Sequence, residues 1–548
     1  MDVENTARFG VEGAMSLQMN WNSEVPADTA EVGCTILAEN DVYRVVGDGV
    51  NGVLSLADFT DLYSRLGRGA ICPIVQSLVT VFQALENVPD RVAARWAVTR
   101  IDWKYALHMP LTWQGFNYSD LSNFRARLLE HEAERLVFEK VLEWIASLGF
   151  VKKHGMQRSD STHVLGNVER LSRLEMVWET MRVTLRAMKR AAPEWYEEVI
   201  PAAFDEAYVK RQSDWRMSKE AVKRETQIAG GDGFWLLDRL NESTPERALN
   251  LPEIETLRVV WAQQFERHPQ RKKVKVLPPS GRGKGKDLIV TPHDPEARWS
   301  EKRGKDWVGY RLEVTETAED DVATQFITDV DVVAANKDDS EVVDGIQERL
   351  TARNLKPKEQ YVDCGYTSGA NLARSVERGI ELMGPVAGDT SGKAEGFRQS
   401  DFALEFEAQR AVCPQGKTAP AWYDRPQADG YVGAEIQFRA QCDGCPVRAS
   451  CAPGKNGRTL SVSPYHALLS KRRAQQETAS FRNEMKRRPA VEGTISELVR
   501  VHGARRARYR GLDRARLQAL FIAAATNLKR AARVLAENRK LAAKAAPA

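Results

Sequence analysis

Between residues 287 and 386, apolar runs of strand length alternate with runs of helical period, and this stretch limits the fold more than any other. Residues 288–291, 308–315 and 325–333 read as strands, and 339–350 as an amphipathic helix. A short apolar strand over 361–364 contains Asp363 and closes at a Gly365 turn. Residues 371–378 read as a helix and 380–386 as a buried strand. Such alternation predicts an α/β domain built on a mixed sheet. Upstream, β-branched Thr162 and Val164 predict one more strand over 157–164. The rest is mostly helical in pattern. Ile74, Leu78, Val81, Phe82 and Leu85 share one face, and Ser119 and Asp120 stand where a helix over Leu121, Phe124, Leu128 and Leu129 would be capped. Residues 168–265 carry helical patterns whose tryptophans (178, 195, 215, 235 and 261) read as packing, and 468–544 are helical and basic. Residues 1–50 give weak signals, with a short strand expected at 41–46.

Composition excludes several classes. The chain has 548 residues, 28% charged and 43% hydrophobic, an ordinary globular mixture. At about 100–200 residues per domain, three or four domains are expected. The longest uncharged run, 69–85, has 17 residues and includes Pro73, Gln76, Ser77, Thr80 and Gln83. A membrane span needs about 20 predominantly apolar residues, so a buried helix is expected and no membrane partner. Asp2 and Glu4 occupy the N-terminus without an apolar segment behind them, which points to a cytoplasmic protein. The net charge of +4 conceals an asymmetry: 471–548 hold 20 Lys/Arg against 6 Asp/Glu, leaving −10 for the remainder. Residues 271–286 add seven Lys/Arg and no acid. Either stretch alone reads equally well as a solvated face. Two of them on an acidic remainder point towards a polyanion.

Cys413, Cys442, Cys445 and Cys451 cluster, whereas Cys34, Cys72 and Cys364 are scattered. Four thiolates are what a tetrahedral structural zinc requires, and Gly444 and Pro446 suit a tight metal-binding turn. The spacing Cys-x28-Cys-x2-Cys-x5-Cys fits no common finger template closely. Zinc is the first reading; unligated thiols and a disulfide remain open behind it.

The sequence holds no Walker phosphate loop, no Gly-x-Gly-x-x-Gly between a strand and a helix, and no Gly-x-Ser-x-Gly. What remains are acids in or beside strands. Asp160 sits in QRSDSTHV and Asp363 in YVDCGY; Asp294 and Asp329 are rivals, read as structural. Carboxylates on neighbouring strands are the hard oxygen ligands a two-metal site needs, although any single strand-end acid is weak. A third acid is better marked. In KRRPAVEGTISELVR, Arg488, Glu492, Ser496 and Arg500 fall at steps of four opposite Val491, Ile495 and Leu498. A carboxylate flanked by guanidinium groups suits a metal ligand beside phosphate clamps, and equally an exposed helix with ion pairs.

QRSDSTHV, DPEARWSEKRG, ITDV, YVDCGYTSG, RGIELMGPV and RPAVEGTISELVRVHGARRARYRGLDRARLQ resemble DDE-type bacterial insertion-sequence transposases in content and order. LYSRLGRGA, YALHM and FNYSDLSNFRARLLEH look like their helical N-terminal domain, and CPQGK with CDGCPVRASC like the cysteine-rich insert of one group. The resemblance spans roughly residues 40–535.

It implies an RNase H-like mixed-sheet core at 151–167, 287–400 and 466–535, split by a helical insertion with a basic linker (168–286) and a cysteine-rich insertion (401–465). An all-helical DNA-binding domain (51–150) would precede it, after a segment (1–50) of uncertain structure, and a basic tail (536–548) would follow. Asp160, Asp363 and Glu492 match the catalytic acids and would hold two Mg²⁺, with Mn²⁺ able to substitute. Related families place Tyr-x2-Arg-x3-Glu-x6-Lys around the glutamate. Here Arg488 fits, Met485 and Val499 stand in place of Tyr and Lys, and Arg500 follows one position later. The implied activity is cleavage at transposon ends and joining to target DNA by two-metal phosphoryl transfer. A non-catalytic, transposase-derived DNA-binding protein is the alternative. Arg488, Arg500, Arg505, Arg506, Arg508 and Arg510 would contact double-stranded DNA, with a homodimer in the DNA complex, associated with the nucleoid when bound.

Overall fold

The computed structural model describes residues 15–17, 21–64, 67–210, 217–267, 274–278, 285–302, 304–322, 324–389, 397–427, 430–452 and 454–545. At its centre lies a six-stranded mixed sheet. The strands are β1 (Met156–Leu165), β2 (Arg298–Lys302), β3 (Lys305–Thr317), β4 (Ile327–Ala334), β5 (Glu359–Tyr361) and β6 (Glu381–Met383). Their spatial order is β6-β5-β1-β3, and β2 and β4 follow one another along the far edge of β3. β1 is antiparallel to β3 and parallel to β5, which is parallel to β6. Parallel neighbours need a crossover. A helix over Gly369–Glu377, capped by the Ser368 side chain, supplies the one between β5 and β6.

Four further helices position the sheet: α1 (Pro73–Glu86), α2 (Val343–Ala352), α3 (Val491–Arg500) and α4 (Leu512–Ala545). α1 is the buried helix expected from the uncharged run. Two of its polar side chains find partners inside the fold: Gln76 donates to Asp120 O at 3.0 Å and Thr80 to Gln76 O at 2.7 Å. α4 packs on α1, on the helix Leu136–Ser147 and on β4. One continuous core therefore runs from Tyr43 through the sheet to Ala531. A second core, including Met181, Leu236 and Trp261, belongs to the helical segment after β1; Trp215 lies outside the described residues. A third, around Ile436 and Phe438, belongs to the cysteine-rich segment and its antiparallel sheet.

Several expectations are corrected. Residues 42–46 belong to a helix, Val42–Gly49, because Asp41 caps it by accepting from the Tyr43 and Arg44 N–H groups and Tyr43, Val45 and Val46 are buried. Residues 288–291 form no strand. Ile289 and Val290 are buried and held by single bonds, Ile289 N to Gln263 Oε1 at 3.1 Å and Leu171 N to Val290 O at 3.2 Å. β2 has the charged composition of a protected edge and carries no apolar alternation to betray it. The strand expected at 361–364 ends at Tyr361, since Asp363 folds back to accept from Gly365 N at 2.8 Å. Much of the basic stretch 271–286 lies outside the described residues.

Candidate active site

Three chain segments bring three carboxylates to one guanidinium. Asp160 sits mid-strand on β1, Asp363 just beyond β5, and Glu492 in the first turn of α3. Because β1 and β5 are neighbours, the first two acids are adjacent by topology. Arg488 stands before α3 on a 3-10 turn over Met485–Ala490 that contains Pro489, so the continuous α-helix expected through it starts only at Val491. The four-residue step to Glu492 survives the change. Arg488 Nη2 donates to Asp160 Oδ2 at 2.8 Å, and Nη1 to Glu492 Oε1 at 3.0 Å. Asp363 Oδ2 lies 3.7 Å from the same Nη2.

The acids differ in burial. The Asp160 carboxyl is buried, and burial pushes its pKa up, opposed by Arg488. The Glu492 side chain is 63% exposed and Asp363 is 37% exposed, so the site opens to solvent on their side. Behind it, α3 is fixed by buried charge. Glu316 on β3 accepts from Arg158 Nε at 2.7 Å, from Thr494 on α3, and from Arg530 on α4 at 3.3 Å.

Sequence reasoning missed a neighbouring group of acids. Asp339 accepts from Ser161 Oγ at 3.0 Å and pairs with Arg311. A Cβ on Gly365 would meet Asp339 at 2.7 Å and Asp363 at 3.0 Å, which explains a glycine between them. Glu313 is fully buried beneath, accepts from Tyr366 Oη, and has its pKa pushed up to about 8, chiefly by burial. Arg311 and Glu313 alternate along β3, a period-two signal that does mark one face of a strand.

The rival acids are occupied elsewhere. Asp294 accepts from Tyr310 Oη at 2.6 Å in the core. Burial works against ionisation of Asp329, yet Arg349, Arg353 and Arg135 hold its pKa below the usual range, with Arg349 bidentate at 3.0 and 2.7 Å. Both carboxylates are thus committed to these partners.

The arginines after α3 divide. Arg505 donates to Thr162 Oγ1 at 3.1 Å, and Arg508 donates to Val88 O and Asn87 Oδ1. Both guanidinium groups thus tie the segment to β1 and to the N-terminal helices. Arg500, Arg506 and Arg510 are exposed.

All seven cysteines are free thiols, so no disulfide is formed. Cys442 Sγ accepts from Arg458 N at 3.3 Å and Cys413 Sγ from Lys417 N at 3.4 Å. The Cys451 thiol is pushed up first by burial, against Arg458, and also by Cys442, Cys413 and Cys445 nearby. Gly457 has φ of 73°, and a Cβ there would stand 2.6 Å from Arg439 O and 3.1 Å from Cys442 Sγ. Among the described residues, no group of three or more His, Cys, Asp or Glu side chains is spaced to hold a metal ion. At the acids, the central position faces a guanidinium instead.

Residues 34–127 match the family model of a transposase domain (DUF772), and residues 412–532 match that of a transposase DDE domain. No curated protein and no solved structure matches. Together the two matches support an insertion-sequence DDE transposase, and hence a DNA transposase with DNA as partner. The second segment includes Glu492, the arginine cluster and the four cysteines; Asp160 and Asp363 lie outside both. No helix among the described residues is long and apolar enough to cross a membrane.

Proposed function

We propose that this chain cuts DNA at transposon ends and joins the ends to target DNA, with Asp160, Asp363 and Glu492 as its catalytic acids on an RNase H-like core. One observation carries the reading. Acids 203 and 129 positions apart in sequence meet at a single guanidinium beside the central strands of a mixed sheet, on a side open to solvent. The strand order, antiparallel partners on one side of β1 and parallel ones on the other, supports the core assignment.

The donor chemistry suits divalent magnesium or manganese, although the three acids are now spaced around a guanidinium and not around an ion: the ligating atoms would be hard carboxylate oxygens, and a cationic group already stands between them. When bound, such ions neutralise charge on the attacking and leaving oxygens of phosphoryl transfer. The chain's own contribution is positional. Ser161 N and Gly365 N each hold one oxygen of Asp160 and Asp363, which leaves the other oxygen of each turned to the shared centre. The Glu316 network fixes α3 and therefore Glu492. Arg488 and exposed Arg500 supply positive charge where phosphates would approach.

Asp160→Asn, Asp363→Asn and Glu492→Gln should each abolish Mg²⁺-dependent cleavage and strand transfer while binding to end DNA persists. Asp294→Asn should retain measurable cleavage. Near wild-type cutting by Asp363→Asn would remove it from the set.

A further inference from the structure

The position where a cation belongs is already taken by the protein itself. Arg488 uses Nη2 on Asp160 Oδ2 and Nη1 on Glu492 Oε1, with Asp363 Oδ2 next in reach at 3.7 Å. The second oxygens of Asp160 and Asp363 are each committed to a backbone N–H, of Ser161 and Gly365. At Asp160 and Asp363, the oxygens left to a divalent ion are therefore the ones that face the guanidinium. Two cations at one site repel where water is partly excluded, so the two arrangements compete.

The neighbouring carboxylates offer the guanidinium no alternative seat. Glu316 is taken by Arg158, Thr494 and Arg530, and Asp339 by Arg311 and Ser161. Its present pose is also incomplete, since the buried Arg488 Nε–H finds no acceptor among the described residues. An acceptor with several oxygens and a negative charge, arriving from outside, would complete it. A DNA phosphate is that acceptor.

Resting on the assignment of the three acids as metal ligands, we infer that Arg488 is the resting cation of this site: divalent metal and the guanidinium compete for Asp160, Asp363 and Glu492, and a DNA phosphate receives the guanidinium, so metal and DNA bind cooperatively. Thermodynamic reciprocity then requires metal to strengthen DNA binding by the same factor as DNA strengthens metal binding. Without DNA, the paired acids stay neutralised and metal binds weakly. The incoming phosphate draws the guanidinium away and opens the site only when substrate is present.

The test measures Mn²⁺ binding to the full-length protein by electron paramagnetic resonance, with and without a short duplex. Wild-type protein should bind Mn²⁺ about tenfold more tightly with duplex than without, an ordinary size for binding coupling. Arg488→Gln removes the competing charge. Without duplex it should bind Mn²⁺ about as tightly as the wild-type complex, and duplex should add little. Arg488→Lys keeps one charge but cannot bridge the carboxylates, and should fall between the two, which protects the test if the glutamine variant folds poorly. Unchanged or weaker Mn²⁺ affinity in both variants would overturn the inference. Asp160→Asn and Asp363→Asn separate the two readings: if they retain full Mn²⁺ binding, the acid assignment itself fails, whatever Arg488 does.

Discussion

Asp160 and Asp329 are strand carboxylates in one sheet, and both are buried, yet their surroundings give them opposite characters. Asp329 meets three guanidinium groups and is held ionised as a structural hub. Asp160 has one, shared with two other acids, and its pKa lies above the usual range because burial outweighs that partner. Sequence alone can note that both are strand acids but cannot rank them, because the arginines that distinguish them come from positions 135, 349, 353 and 488. Glu313 is harder still to read: nothing local shows that its carboxyl is fully buried against the Tyr366 hydroxyl. Its raised pKa fixes a sign. The folded protein binds this proton more tightly than the unfolded chain, so stability is greatest below the ordinary value of 4.5 and falls as pH rises towards about 8. The loss is at most about 1.4 kcal/mol per pH unit across that window. Glu313→Gln should flatten this dependence in urea unfolding between about pH 5 and 8. Identical slopes for the two proteins would mean that Glu313 is not protonated in the native state.

At the scale of elements, the segment from 485 to 500 shows how a functional helix is registered. Its apolar face, Val491, Ile495 and Leu498, was legible from spacing and is buried. The break at Pro489 and the buried Glu316 beneath Thr494 were not, because one depends on local backbone and the other on a strand 178 residues away. Glu316→Ala would leave Arg158 and Arg530 with reduced compensation for buried charge. Removing one partner of such a group typically costs about 3–5 kcal/mol, and the urea midpoint should fall accordingly. A change below about 1 kcal/mol would show that water satisfies the two arginines instead. The cysteine-rich element poses the converse case: its residue types were plain in sequence, and only folding shows Cys413 in electrostatic reach of Cys451. We propose that the four thiols bind one structural zinc, a closed site whose binding energy adds directly to folding. Elemental analysis should find one zinc per chain, and Cys445→Ser should lose it along with stability of this segment. Metal-free protein of unchanged stability would leave the thiols unligated.

Across the whole molecule, the order of helical, mixed-sheet, cysteine-rich and basic helical segments was readable from periodicity and charge. That the N-terminal helices and the sheet share one core was not, because α4 closes it from the far end of the chain against α1 and β4. The same long-range packing changes what the basic segment can do. Arg505 and Arg508 fasten the turn after α3 to β1 and to Asn87 and Val88, while Arg506 and Arg510 are exposed to solvent. A charge count treats the four alike; the structure does not. The exposed pair lacks the structural roles seen for the other two, so that pair is expected to meet phosphates. Removing one phosphate-neutralising side chain lowers the slope of log affinity against log salt by about 0.9, whatever the DNA sequence. Arg506→Ala with Arg510→Ala should therefore weaken binding to any duplex and reduce that slope by about two, with the unfolding midpoint unchanged. Arg505→Ala and Arg508→Ala should lower the midpoint first, since each strands backbone or side-chain acceptors that the guanidinium now satisfies. Filter binding across a salt series, paired with urea unfolding of each variant, reads both quantities. Were the double variant to lose stability while the other two lost only salt dependence, the division of labour among these arginines would be the reverse of the one proposed.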